Sequence, residues 1–131
     1  MQNPKSTIEQ VREFHEAFGV RNASFVDIGD KNTNKLRVAL IREELNELEE
    51  ALEAGDPVAV LDALADLTYV VEGSYLAFGL AFLKDSAFNE VHRSNMSKLG
   101  ADGKPIYHPE TRKVLKGPNY SKPDLRKLFA K

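Results

Sequence analysis

With 131 residues, of which 42% are hydrophobic and 29% charged, the chain has the length and composition of one soluble globular domain spanning 1–131. No run approaches the roughly 18 apolar residues of a membrane span, and with no cysteine there are neither disulfides nor thiolate metal sites. The net charge of −2 is unevenly placed: residues 1–80 hold 7 Lys and Arg against 15 Asp and Glu, whereas residues 81–131 hold 11 against 5. An acidic front and a basic back suit a metal centre beside a phosphate-binding region better than a nucleic-acid surface, which would need an aromatic-plus-basic motif. The polar residues after Met1 do not look like a signal peptide, so a cytoplasmic setting is expected.

Ser6 or Thr7 caps a first helix that should run to about Phe18 and stop at Gly19, with Ile8, Val11, Phe14, His15 and Phe18 inward. No second histidine stands at ligand spacing, so His15 reads as a packed core-edge residue. Residues 19–34 read as an irregular loop anchored by Phe25, Val26 and Ile28. Asp30, Asn32 and Asn34 imitate the start of an EF-hand loop, but Lys35 and Ile41 stand where its glycine and bidentate glutamate belong.

Thr33 or Asn34 is expected to cap a second helix, Lys35 to Glu53, closed by Gly55. At about 100° per residue its apolar residues (Leu36, Val38, Leu40, Ile41, Leu45, Leu48, Ala51, Leu52) form one broad arc. Glu44 falls in the middle of that arc and Glu47 inside its edge, with Glu43 and Glu50 just beside it. A carboxylate on a core-facing strip without a partner costs several kcal/mol or gives up its charge. The cluster therefore calls for a cation.

Asp56-Pro57 opens a third helix to about Gly79, apolar nearly all round and so expected at the centre of a bundle. On it Asp62 and Asp66 stand one turn apart, and Tyr75, Leu76, Phe78, Phe82 and Leu83 are the expected surplus apolar surface for a homodimer. A fourth helix, about Lys84 to Leu99, carries Phe88, Val91 and Leu99 as its stripe. Asn95 falls inside this stripe and Lys98 beside it. The rest is an irregular basic tail, in which Lys116-Gly117-Pro118-Asn119-Tyr120 combines a cation, an amide and an aromatic ring suited to holding a nucleotide.

Folding back at the tight Gly55-Asp56-Pro57 turn sets Glu43, Glu44 and Glu47 opposite Asp62 and Asp66. All-oxygen ligation of this kind selects Mg²⁺ or Mn²⁺, which act on phosphates. Arg93, Lys98, Lys104 and Lys116 are the candidate phosphate-holding cations. A di-iron carboxylate bundle is one rival, but it wants paired Glu-x-x-His motifs and none of His15, His92 and His108 follows a glutamate by three. A non-catalytic metal-binding interaction module is the other class open at this point.

The run Arg42-Glu43-Glu44-Leu45-Asn46-Glu47-Leu48 resembles the EExxE motif of the all-α NTP pyrophosphohydrolases, the MazG-like and phosphoribosyl-ATP pyrophosphohydrolase-like proteins. Asp62-Ala-Leu-Ala-Asp66 is similar to their second acidic helix. Glu90 to Lys98 and Lys113 to Tyr120 resemble the phage and bacterial phosphoribosyl-ATP pyrophosphohydrolase-like branch. The resemblance implies an all-α, four-helix-bundle-like core, a homodimer or dimer of dimers, and Mg²⁺-dependent cleavage of a nucleotide between its α and β phosphates. It implies Glu44, Glu47 and Asp66 as metal ligands and Glu43 as a ligand or water-positioning base, so that Glu43 and Glu47 are the catalytic candidates. The family's usual ExxD glutamate is Ala63 here, and Asp62 beside it is the candidate replacement. Arg93, Asn95, Lys98, Lys104, Lys116, Asn119 and Tyr120 are the candidate substrate-binding residues. Neither base nor sugar is legible in these motifs.

Overall fold

The computed structural model describes residues 4–129, and among them the chain is all-α: α1 (Thr7–Phe18), α2 (Lys31–Ala54), α3 (Pro57–Ala77) and α4 (Lys84–Met96), with short 3-10 turns at Ala81–Leu83 and Arg126–Leu128. Local chemistry sets the ends. The Ser6 hydroxyl accepts from Glu9 N and caps α1, and Gly19, at φ 68°, supplies the left-handed residue that stops it. Asp56 accepts from Val58 N and Ala59 N ahead of Pro57, whose missing N–H is harmless in the first turn.

α2 begins four residues earlier than the pattern suggested. Asp30, rather than Thr33 or Asn34, is its N-cap: one carboxylate oxygen accepts from Asn32 N at 3.0 Å and the other from Thr33 Oγ1 at 3.0 Å. The EF-hand look-alike is thus a helix start. Arg21 ties this cap to the preceding loop through ion pairs with Asp27 and Asp30.

The chain gathers into two compact units, one up to Phe82 and one from Leu83. In the first, α2 and α3 form a helical hairpin across Gly55, where Gly55 N bonds Leu52 O and Asp56 N bonds Ala51 O, and α1 packs on α3. Its fully enclosed apolar side chains are few and mostly small: Val11, Ala51, Ala63, Leu76 and Ala77. The returning loop is fastened to the end of α3 by Ala23 N to Leu76 O and Asp27 N to Phe78 O.

α3 is not apolar all round because it is buried all round. Val58, Leu61 and Leu64 are 77%, 69% and 47% exposed, and Leu45 and Leu52 of α2 are also largely exposed. Surplus apolar surface therefore sits near the hairpin turn. Of the stretch expected to carry it, Leu76 is buried, Tyr75, Phe78 and Leu83 are partly covered, and Phe82 is exposed.

In the second unit the tail is strapped to α4. Glu90, 7% exposed, accepts from Arg93 Nε and Nη2, from Asp124 N at 2.7 Å and from Lys127 Nζ. Ser97 Oγ accepts from Ser121 N, and Gly117 N bonds Lys98 O so closely that a Cβ on Gly117 would lie 2.3 Å from Leu99 O. Residues 107–114 close a small loop on the bridge Tyr107–Val114. No described helix is long and apolar enough to cross a membrane.

Candidate active site

Glu43, Glu44 and Glu47 share one stretch of α2, and each offers a carboxylate oxygen within 4.8 Å of the others. Helical geometry does this: residues three and four apart are neighbours on one face. Glu43 and Glu47 are exposed, whereas Glu44 is half-buried and its Oε2 is enclosed with no hydrogen-bond partner among the described residues. Burial, more than anything else, pushes its carboxyl up from 4.5 to about 7, helped by the hydrogen bond and charge of Glu47 and by the charges of Asp66 and Glu43.

Asp66, half-buried, therefore acts on Glu44 from across the hairpin. Asp62, one turn earlier, is exposed and stands outside the three-carboxylate group. Ala63, 2% exposed, fills the inward position that resemblance would give to a glutamate. The donors are all hard oxygens, and one of them is an orphaned buried atom. That set fits a divalent hard cation such as Mg²⁺ or Mn²⁺ and suits neither thiophilic metals nor imidazole-preferring ones.

Beside the cluster lies a cavity of 420 Å³ among α1, α2 and α3. Glu44 and Asp66 lie on its wall, Phe14 and Tyr69 contribute aromatic surface with rings edge to face at 5.7 Å, and Arg37 and His15 are its buried polar groups. His15, the expected packed histidine, is 3% exposed. Its Nδ1 lies 3.0 Å from both Arg21 O and Asn22 Oδ1, and a carbonyl there requires Nδ1 to carry the proton. Burial lowers the ring's pKa, so Nε2 is an acceptor.

Arg37 escaped the sequence reading. It stands seven residues before Glu44, almost the same helix angle, so the phase argument that singles out Glu44 applies to it equally. Its Nη2 donates to Val70 O at 2.8 Å and its Nε to Ser74 Oγ at 3.1 Å.

The basic candidates lie in the second unit. Arg93 is engaged by Glu90 and by Lys122 O. Asn95 is exposed, as are Phe88 and Val91 of the same α4 stripe. With Lys98 it lines a separate cavity of 390 Å³ walled by Met96, Leu99, Pro105 and Val114. Lys116 Nζ stands 4.8 Å from the centre of the Tyr120 ring, and Lys104 and Asn119 are exposed. Two of these pairs are thus brought together, Asn95 with Lys98 and Lys116 with Tyr120.

Fold and site define an all-α protein with a carboxylate cluster on a helical hairpin. Residues 11–95 match the phosphoribosyl-ATP pyrophosphohydrolase family, and the chain belongs to it. The matched span holds α2, α3 and all five acidic candidates, and it ends at Asn95, before Lys98, Lys104, Lys116, Asn119 and Tyr120. The chain is also similar to uncharacterized protein L479 of Acanthamoeba polyphaga mimivirus, at 41% identity over 76 residues. That match covers 55% of this chain and 30% of the viral protein, so the chain spans less than a third of that relative's length.

Proposed function

We propose that the chain hydrolyses a nucleoside triphosphate or a phosphoribosyl-ATP-like nucleotide between the α and β phosphates, giving the monophosphate and pyrophosphate, with Mg²⁺ or Mn²⁺ as cofactor. The observation that carries the reading is the half-buried Glu44, whose Oε2 has no partner although Glu43, Glu47 and Asp66 crowd it with like charge. Membership of a pyrophosphohydrolase family supports it independently.

Glu43, Glu44, Glu47 and Asp66 would hold the cation, and Asp62 is kept as an outer carboxylate one turn away. A divalent cation bound there supplies charge neutralisation for the phosphates and lowers the pKa of water. Glu43 and Glu47, the exposed members of the cluster, are placed to orient the attacking water and accept its proton. The water oxygen forms the new bond to the α phosphorus while the α–β anhydride bond breaks, and the electron pair leaves with pyrophosphate. The neighbouring cavity takes the organic part of the nucleotide. Arg93, Asn95, Lys98, Lys104, Lys116, Asn119 and Tyr120 remain proposed substrate-binding residues, Asn95 with Lys98 and Lys116 with Tyr120 being the strongest pairs.

A homodimer or dimer of dimers belongs to the same reading. Each large apolar side chain covered by a partner is worth about 1.5–3 kcal/mol, and Leu45, Leu52, Val58, Leu61 and Leu64 leave several such increments exposed on the hairpin. The protein is read as working in the cytoplasm on a nucleotide, without nucleic-acid or membrane partners.

The test is product analysis. With Mg²⁺ and a panel of nucleotides, chromatography should show monophosphate and pyrophosphate in equal amounts, and Glu44→Gln and Asp66→Asn should each remove the activity. Diphosphate with orthophosphate, or activity near the wild-type level in either variant, would refute the reading.

A further inference from the structure

We propose that Arg37 selects the substrate: its buried guanidinium donates to an oxygen on the end of the nucleotide remote from the triphosphate. The proposal rests on the nucleotide reading above. Arg37 is 3% exposed and lines the same cavity as Glu44 and Asp66. Its hydrogen-bond acceptors are both neutral, Val70 O and Ser74 Oγ, and among the described residues no carboxylate forms an ion pair with it. A guanidinium has five N–H donors, and the protein's two acceptors leave the Nη1 pair and one Nη2 hydrogen unused. Arg37 Nη1 is not among the side-chain atoms shut off from solvent without a partner, so its hydrogens are reachable from the cavity that Arg37 lines and can be taken up by a ligand oxygen there.

The backbone is also shaped for this group. A Cβ on Gly73 would lie 2.5 Å from Arg37 Nη2 and 2.9 Å from His15 Nε2, so α3 carries no side chain where the guanidinium enters the cavity. A donor-only group on the wall of a half-open, partly aromatic cavity favours a ligand that offers it an oxygen over one that leaves it unpaired. Two sources have this oxygen: the carbonyl of a uracil- or guanine-type base, and the second phosphate of a phosphoribosyl nucleotide. Plain ATP has neither.

The experiment has two arms. Hydrolysis of dUTP, GTP, phosphoribosyl-ATP and ATP is measured with Mg²⁺. Binding of dUMP, GMP, phosphoribosyl-AMP and AMP is measured by calorimetry, also with Mg²⁺. Wild type should disfavour ATP and AMP by about tenfold or more, and the best ligand identifies the source of the oxygen. Arg37→Met should raise KM and Kd for that ligand by about tenfold, leave ATP and AMP within about twofold, and leave Mn²⁺ binding unchanged. Gly73→Ala, which crowds Nη2, should do the same in milder form. Ser74→Ala, which removes a protein acceptor but keeps the guanidinium, should retain the discrimination, as a merely structural Arg37 would not require. If Arg37→Met does not fold, Gly73→Ala and Arg37→Lys decide the matter, since Arg37→Lys keeps the charge and loses the fork. Equal treatment of AMP and the oxygen-bearing ligands by wild type, or a uniform loss across all ligands in these variants, would overturn the assignment. Pyrophosphate release with unchanged selectivity in the variants removes Arg37 and keeps the hydrolase reading. Arg37-dependent binding without pyrophosphate release does the reverse.

Discussion

Glu44 holds its proton more tightly in the folded chain than in the unfolded one, since burial and three neighbouring carboxylates all disfavour its charge and nothing among the described residues compensates. The sign follows from linkage. Its folded value of about 7 exceeds the ordinary 4.5, so between these the fold carries a proton that the unfolded chain has lost. Metal-free stability contributed at this site is greatest below pH 4.5, falls as pH rises toward 7 and levels off above. Urea midpoints measured with chelator from pH 4.5 to 7.5 should therefore decline more steeply for wild type than for Glu44→Gln, which cannot ionise. Equal slopes would show that the carboxylate is not frustrated. Placing Glu44 in the middle of the α2 apolar arc was possible from periodicity alone, and its half-burial was legible for that reason. Arg37 was equally legible by phase and went unread, because a long cation is usually assigned to solvent and its burial depends on Gly73, thirty-six residues away.

At the scale of elements, boundaries tracked capping chemistry where one residue had no rival or, as with Ser6 and Thr7, only an adjacent one. Ser6, Gly19, Gly55 and Asp56 end their helices where the sequence suggests. The start of α2 was misplaced because Asp30, Thr33 and Asn34 are all competent caps, and the choice falls to Asp30 through its pairing with Arg21, a contact between residues nine apart. The α4 strap was hidden for a similar reason. Glu90 is an ordinary helical acid in sequence, and only the return of the tail surrounds it with Arg93, Asp124 N and Lys127. Those partners, Arg93 first, hold its carboxyl down at about 2. A depressed carboxylate stabilises the fold above pH 4.5 and loses that contribution as pH falls toward 2. Glu90→Gln removes the charge-assisted bonds at neutral pH. Limited proteolysis should cut residues 121–128 faster in Glu90→Gln than in wild type at pH 7, with the difference shrinking at pH 3. Equal cleavage at pH 7 would mean that other contacts hold the tail.

For the whole molecule, the expected all-α architecture is present, but the single chain encloses little apolar surface. Val58 and Leu61 remain more than two-thirds exposed on a helix whose composition suits a fully buried one. That mismatch predicts a dimer by light scattering, and replacing Val58 and Leu61 together by Glu should yield monomer or unfolded chain. A monomeric wild type at working concentration would contradict it. The surplus could be expected from composition, but its location could not, since which turns of α3 are covered depends on how α1 and the returning loop are fastened to its far end. The central claim, that the acidic face of the hairpin is a divalent-metal centre, is tested most directly by titrating Mn²⁺ into the nucleotide-free protein by calorimetry. Wild type and Glu49→Gln, whose carboxylate lies outside the cluster, should bind alike, and Glu44→Gln should lose most of the affinity. Undetectable binding in wild type, or undiminished binding in Glu44→Gln, would contradict the account.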